Sequence, residues 1–261
     1  MKHIKILIKY ICYYITSNNE HSVHSPFVYN FVTNVIYNKK QSENFEKIKR
    51  LKQQLFKSKK KINIVDFGAG SNINKSKERQ IKDIAKNSAK NEKFGKLLYR
   101  TCQYSKAQNI IELGTSLAIS TCYLAKANPL SHVYSFEGCP ETIKIAKKNL
   151  AHLDINNVSI IEGDFKLTLE NKLKKTKTVD FVFIDGNHQE KATIQYFDLI
   201  LKHSHNDTVF IFDDIYWSKG MENAWNYIKQ HDKSTVTIDL FFVGIVFIKK
   251  ELSKENFKIR F

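Results

Sequence analysis

Asn109-Ile110-Ile111-Glu112-Leu113-Gly114-Thr115-Ser116 sets an apolar run, an acid and a single glycine in a row, the pattern of a buried strand entering a tight turn. Downstream the same unit recurs. Strands are expected at 109–113, 132–136, 157–161, 180–184 and 208–212. Helices are expected between and after them, at about 118–127, 140–150, 165–174, 189–203 and 219–230. Strands that are apolar almost throughout belong in a parallel sheet covered on both faces. Their alternation with helices predicts a doubly wound α/β fold. Two further strands, near 235–240 and 243–248, follow each other without a helix. They predict an antiparallel hairpin at one edge of a mostly parallel, seven-stranded, Rossmann-like sheet.

Upstream the pattern is different. Helices are expected at 93–103, 77–88 and 43–57, with a short strand at 62–67. Ser25-Pro26 before Phe27, Val28, Phe31 and Val32 reads as a capped helix start with proline in the first turn. Ile4, Ile8, Ile11 and Ile15 share one face of a first helix. That face is expected to pack onto the domain or a partner, with a membrane-surface helix as the alternative. The chain therefore divides into a helical N-terminal extension (1–91) serving as a lid, substrate or oligomer region, a domain at 92–250, and a tail at 251–261.

The chain has 261 residues and a formal net charge of +16. The excess is lysine; the arginines are Arg50, Arg79, Arg100 and Arg260. Specific phosphate and base recognition leans on the bidentate guanidinium, so a solvated lysine surface is the first reading and a nucleic-acid face the second. Cys12, Cys102, Cys122 and Cys139 form no CxxC pair, which suits free thiols in a reducing cytoplasm. Cys122, in an apolar helical stretch, is expected to be buried. The apolar run at 4–15 is too short to span a bilayer and lacks a cleavage site, so neither a transmembrane segment nor a signal peptide is expected.

In a doubly wound sheet, ligands bind beyond the carboxyl ends of the strands. The candidate residues are therefore the polar ones at those ends. Gly114 allows close backbone approach, and Thr115 or Ser116 can supply a hydroxyl and amide donors. Glu137 ends the second strand, placed to accept both hydroxyls of a ribose. Asp164 could accept from an adenine amino group, with Phe165 against the ring. One glycine in the turn, where dinucleotide sites have three, counts against a nicotinamide enzyme. The stretch Asp66-Phe67-Gly68-Ala69-Gly70-Ser71 looks more glycine-rich, but no apolar strand ending in an acid follows it. It reads as a structural turn; the alternative is a loop over the substrate pocket before a lid at 72–91.

Asp185 ends the fourth strand, and Asp213 and Asp214 end the fifth. Three carboxylates gathered there would repel unless neutralised by a hard cation such as Mg²⁺; the alternative is that they cap helices or bind an amino group. His188 is a candidate general base, or a capping residue. Trp217 and Tyr216 would wall the pocket or join the core.

The motifs E-L-G-T-S (112–116), F-E-G (136–138), E-G-D-F (162–165), F-I-D-G-N-H (183–188) and F-D-D-I-Y-W-S-K-G-M (212–221) resemble the class I methyltransferases, in particular the catechol and caffeoyl-coenzyme-A O-methyltransferase-like branch. H-S-P-F-V-Y at 24–29 resembles the start of bacterial members. The resemblance implies S-adenosylmethionine as cofactor, bound by Glu112, Gly114, Ser116, Glu137, Asp164 and Phe165. Glu137 would take the ribose and Asp164 the adenine edge. It implies Asp185, Asp213 and Asp214 as metal ligands, Asp185 and His188 in catalysis, and a small-molecule methyl acceptor; the sequence leaves oligomeric state open, a homodimer included. The family usually has Asp-Asn where Asp213-Asp214 stands, often lysine where His188 stands, and frequently glycine at Ala118. Metal-independent methyl transfer, nucleic-acid methylation and a non-catalytic cofactor-binding scaffold are the alternatives.

Overall fold

The computed structural model describes residues 2–65, 78–88 and 91–261, without the side chains of Lys2, His3 and Lys5. The glycine-rich turn at 66–71, and of the expected lid residues 72–77 and 89–90, lie outside the described residues. In chain order the helices are α1 (Lys2–Thr16), α2 (Pro26–Phe31, continued by a π turn at Val32–Ile36), α3 (Glu43–Lys57), α4 (Ile81–Ser88), α5 (Glu92–Tyr104), α6 (Ile119–Ala127), α7 (Pro140–His152), α8 (Phe165–Leu173), α9 (Glu190–Leu201) and α10 (Lys219–Gln230). The strands are β1 (Lys61–Asn63), β2 (Glu78–Gln80), β3 (Asn109–Leu113), β4 (His132–Glu137), β5 (Val158–Glu162), β6 (Val179–Ile184), β7 (Ser204–Asp213), β8 (Val236–Asp239), β9 (Val243–Phe247) and β10 (Glu255–Lys258). They fall into two compact units, residues 39–177 and residues 1–38 with 178–261.

In the unit of residues 39–177, β3, β4 and β5 lie side by side in parallel. Ile110, Ile111, Leu113, Val133 and Phe136 are buried, while β5 at the outer edge is half-exposed. Helices α5 and α6 contribute Leu98, Cys102, Cys122 and Leu124 to this core, so Cys122 is buried as expected. The polar segment at 78–80 is not the start of a helix. It is β2, paired antiparallel with β1.

In the other unit the strand order is β6-β7-β9-β8-β10. The β6 and β7 strands run parallel, and β9 is antiparallel to both β7 and β8. The expected hairpin is therefore present, but it is not the edge. The segment at 251–261, read as a tail, supplies β10, parallel to β8 beyond it. That strand brings the mostly parallel set β3–β10 to eight rather than seven. The core is aromatic: Phe197 meets Phe210 edge-on at 5.2 Å, and Trp225 lies over β9. Gly244 makes that approach possible, since a Cβ there would stand 2.6 Å from the Trp225 ring. Ser25 caps α2 through the Val28 amide, with Pro26 in the first turn, and Phe27 and Phe31 pack on Phe247 at 4.9 and 5.0 Å.

The first helix departs from expectation. Its face toward the unit is Tyr10 and Tyr13, which meet Phe241 at 5.1 and 5.4 Å. The Tyr13 hydroxyl donates to the carbonyl of Ile259, and Lys9 pairs with Glu222. Ile4, Ile8, Ile11 and Ile15 face away and are exposed. Two tyrosines bury more surface than isoleucines and have a polar atom to satisfy, so they take the protein side.

Candidate functional site

At the tips of β3, β4 and β5 the backbone is tied together. The amides of Gly114 and Thr115 both donate to the carbonyl of Phe136 at 3.0 Å, and Gly163 donates to that of Glu137 at 3.0 Å. Gly114 has φ of 107°, a conformation that disfavours any side chain, which is why the turn carries glycine. Ser116 and Ala118 follow with φ of 46° and 62°. Ala118, the residue before α6, thus occupies a left-handed position that glycine fits better.

The Glu137 carboxylate spans two of these tips. One oxygen accepts from the Ser116 amide at 2.8 Å and the other from the Cys139 amide at 2.9 Å. Glu137 is only partly buried. Asp164 is the N-cap of α8, accepting from the Lys166 amide at 2.9 Å. Phe165 meets Phe136 edge-on at 6.4 Å.

Glu112 is placed differently from these. It is fully buried beneath the turn, where one oxygen accepts from the hydroxyls of Thr121 and Ser135, both at 2.6 Å. Ser135 in turn shares a 2.5 Å bond with Thr115. The other Glu112 oxygen is buried without a hydrogen-bond partner. Burial outweighs the hydroxyl bonds and pushes the carboxyl up to about 7.

Two residues that sequence reasoning passed over also reach this place. Ser88, ending α4, shares a 2.8 Å hydrogen bond with Ser116. The Cys139 thiol lies 3.4 Å from both the Asn63 carbonyl and the Val65 amide, tying β1 to the turn after β4. The position of Cys139 directly after F-E-G was the available signal.

In the other unit, Asp185, His188 and Asp213 offer ligand atoms all within 4.8 Å of one another. His188 Nε2 stands 3.6 Å from Asp185 Oδ1. Asp213 is buried, and the other two are half-buried. Asp214 stands outside this group. Asp214, just past the strand end, has a φ of 55°. Asn187 and His188 are also left-handed, with φ of 67° and 29°. The Asn187 side chain anchors this bend by donating to the Tyr196 hydroxyl at 3.1 Å. Such backbone is held by its surroundings and clusters at functional sites. Trp217 is exposed rather than in the core, while Tyr216 stacks on Phe241 at 5.2 Å and donates to the Asp239 carboxylate.

Residues 111–215 match a family model described as a methyltransferase domain. A catechol O-methyltransferase of Niastella koreensis is 28% identical over 124 residues, covering 46% of this chain and 55% of that protein. A protein-L-isoaspartate O-methyltransferase of Vibrio parahaemolyticus is 39% identical over 70 residues, 27% of this chain and 33% of that one. The chain spans between a third and just over half of the length of the curated relatives it matches. Among solved structures, the SAH-bound methyltransferase PaMTH1 of Podospora anserina aligns with a TM-score of 0.60 at 13% identity, over 87% of this chain and 98% of that one. The O-methyltransferase TomG of Streptomyces achromogenes, involved in tomaymycin synthesis and in complex with SAM, aligns with a TM-score of 0.58 at 18% identity, over 83% and 96%. These structures share the doubly wound, Rossmann-like fold.

Proposed function

Taking residues 111–215 as a class I methyltransferase domain, we propose that this chain transfers the methyl group of S-adenosylmethionine to an oxygen of a small molecule. The observation that carries the acceptor chemistry is the Asp185–His188–Asp213 group, a partly sheltered imidazole beside two carboxylates.

In this reading Glu137 takes the ribose. A carboxylate offers about four acceptor positions, and on Glu137 two amides take part of that capacity and fix its orientation. The pinned carboxylate needs no reorganisation on binding. The free oxygen of Asp164 takes the adenine amino group, and Phe165 lies against the ring. Gly114 and Ser116 form the wall near the sulfonium. Glu112 acts from below, holding the hydroxyls that support the turn.

The acceptor hydroxyl attacks the methyl carbon in line with the carbon–sulfur bond. An oxygen–carbon bond forms, the carbon–sulfur bond breaks, and the sulfonium leaves as a neutral thioether. His188 takes the hydroxyl proton, with Asp185 orienting and stabilising the imidazolium. Holding the two reactants aligned supplies much of the rate.

The donor set also fits a divalent cation. Asp185, His188 and Asp213 hold their ligand atoms within 4.8 Å of one another, two carboxylates beside an imidazole. Bound there through Asp185 and Asp213, the ion would lower the pKa of the acceptor hydroxyl.

The test is transfer of labelled methyl from S-adenosylmethionine to a panel of phenols and catechols. Asp185→Asn and His188→Gln should each lower turnover by roughly 10²–10⁴-fold. Undiminished transfer by both variants, or label appearing only in nucleic acid, would reject the assignment.

A further inference from the structure

The exposed face of α1 takes no part in the function proposed above. Ile4, Leu7, Ile8, Ile11 and Ile15 are 62%, 57%, 55%, 48% and 74% exposed. Their spacing of three and four residues makes one continuous stripe along the helix. Phe242, 6.2 Å from the Tyr10 ring, adds an exposed aromatic at its side. Scattered apolar side chains on a surface are ordinary, but a stripe running the length of a helix marks an interaction site.

The helix is held in place by its other side. Tyr10 and Tyr13 pack on Phe241, Lys9 pairs with Glu222, and the Arg260 guanidinium lies 4.4 Å over the Tyr14 ring. The stripe is therefore presented by an anchored helix.

Charge indicates the occupant. Besides the paired Lys9, the helix carries Lys2 and Lys5, and no acidic residue precedes Glu20, within a net charge of +16. Such a helix is complementary to an anionic surface. A helix of 15 residues is about 22 Å long at ~1.5 Å per residue. The stripe is one row of aliphatic side chains along that length. It suits the shallow burial, about 5–10 Å deep, of an interfacial amphipathic helix. Among the described residues no helix is long and apolar enough to cross a membrane. We propose that α1 is a monotopic docking surface that lays its isoleucine stripe into the headgroup region of an anionic bilayer.

The test is flotation of the full chain with vesicles of phosphatidylcholine alone or with about a quarter phosphatidylglycerol. The chain should float with the anionic vesicles, more weakly as salt rises. Ile8→Glu/Ile11→Glu should lower partitioning at least about tenfold, since each aliphatic side chain contributes roughly that factor. Both positions are exposed, so near-ultraviolet circular dichroism should be unchanged. Should the double variant misfold, Ile15→Ser, at the most exposed position of the stripe, takes its place and should lower partitioning about fivefold or more. The proposal is overturned if the wild-type chain stays in solution with both vesicle types, or if partitioning ignores the folded variants. It is equally overturned if light scattering shows a dimer that the same substitutions dissolve while vesicle binding persists. None of these readouts requires methyl transfer, so failure here leaves the proposed activity standing.

Discussion

Replacing Glu112 by glutamine removes a buried charge while keeping the shape of the side chain. The wild-type carboxyl is raised from 4.5 to about 7, chiefly by burial. The raised value means that the folded state resists ionisation while the unfolded chain ionises near 4.5. Stability is thus highest below the unfolded value and falls as pH rises toward 7, where the folded group also gives up its proton. The separation, at about 1.4 kcal/mol per pH unit, makes the full effect about 3 kcal/mol. Of this about 2.5 kcal/mol is lost between about pH 5 and about pH 8. Glutamine cannot ionise, so Glu112→Gln should lose that much less stability over the same interval, whatever its offset at low pH. Urea unfolding followed by tryptophan fluorescence, at both pH values and for both chains, measures the difference directly. Other titrating groups cancel between the two. Parallel pH profiles would refute the reasoning, because they would mean that Glu112 is solvated or never ionises.

Other substitutions probe the backbone and the core. Ala118→Gly should stabilise the chain by up to about 1 kcal/mol in thermal unfolding, because it relieves a left-handed alanine at φ 62°. Gly244→Ala should destabilise by about 1–3 kcal/mol in the same assay, since the new methyl would press on the Trp225 ring at 2.6 Å. Tyr196→Phe removes the anchor of the Asn187 bend and should lower turnover several-fold with little change in cofactor affinity, read as kcat against Kd.

Much of the fold was legible because its strands are apolar and its helices carry caps. Val179–Ile184 and Val243–Phe247 announce themselves by composition. Glu255–Lys258 does not, since E-N-F-K at an exposed edge has no apolar run, and its pairing with β8 is a tertiary event. Glu78–Gln80 was hidden for the same reason. The period of α1 identified its isoleucine stripe correctly but not its partner, because periodicity shows that a face is apolar and not what covers it. At the strand tips, sequence order located Glu137, Asp185 and Asp213. It did not show that Asp213 is the one of the pair that gathers with Asp185 and His188. Nor did it show that Glu112 is sealed in the core while Glu137, at the next strand's tip, is only partly buried.

The central claim rests on Glu137 as the ribose acceptor, and titration calorimetry with S-adenosylmethionine tests it most directly. The wild-type chain should bind, and Glu137→Ala should weaken binding by at least about tenfold, given about 1.5–3 kcal/mol for each hydrogen bond to a charged group. Absence of binding heat from the wild-type chain, or equal affinity in the two chains, would contradict it.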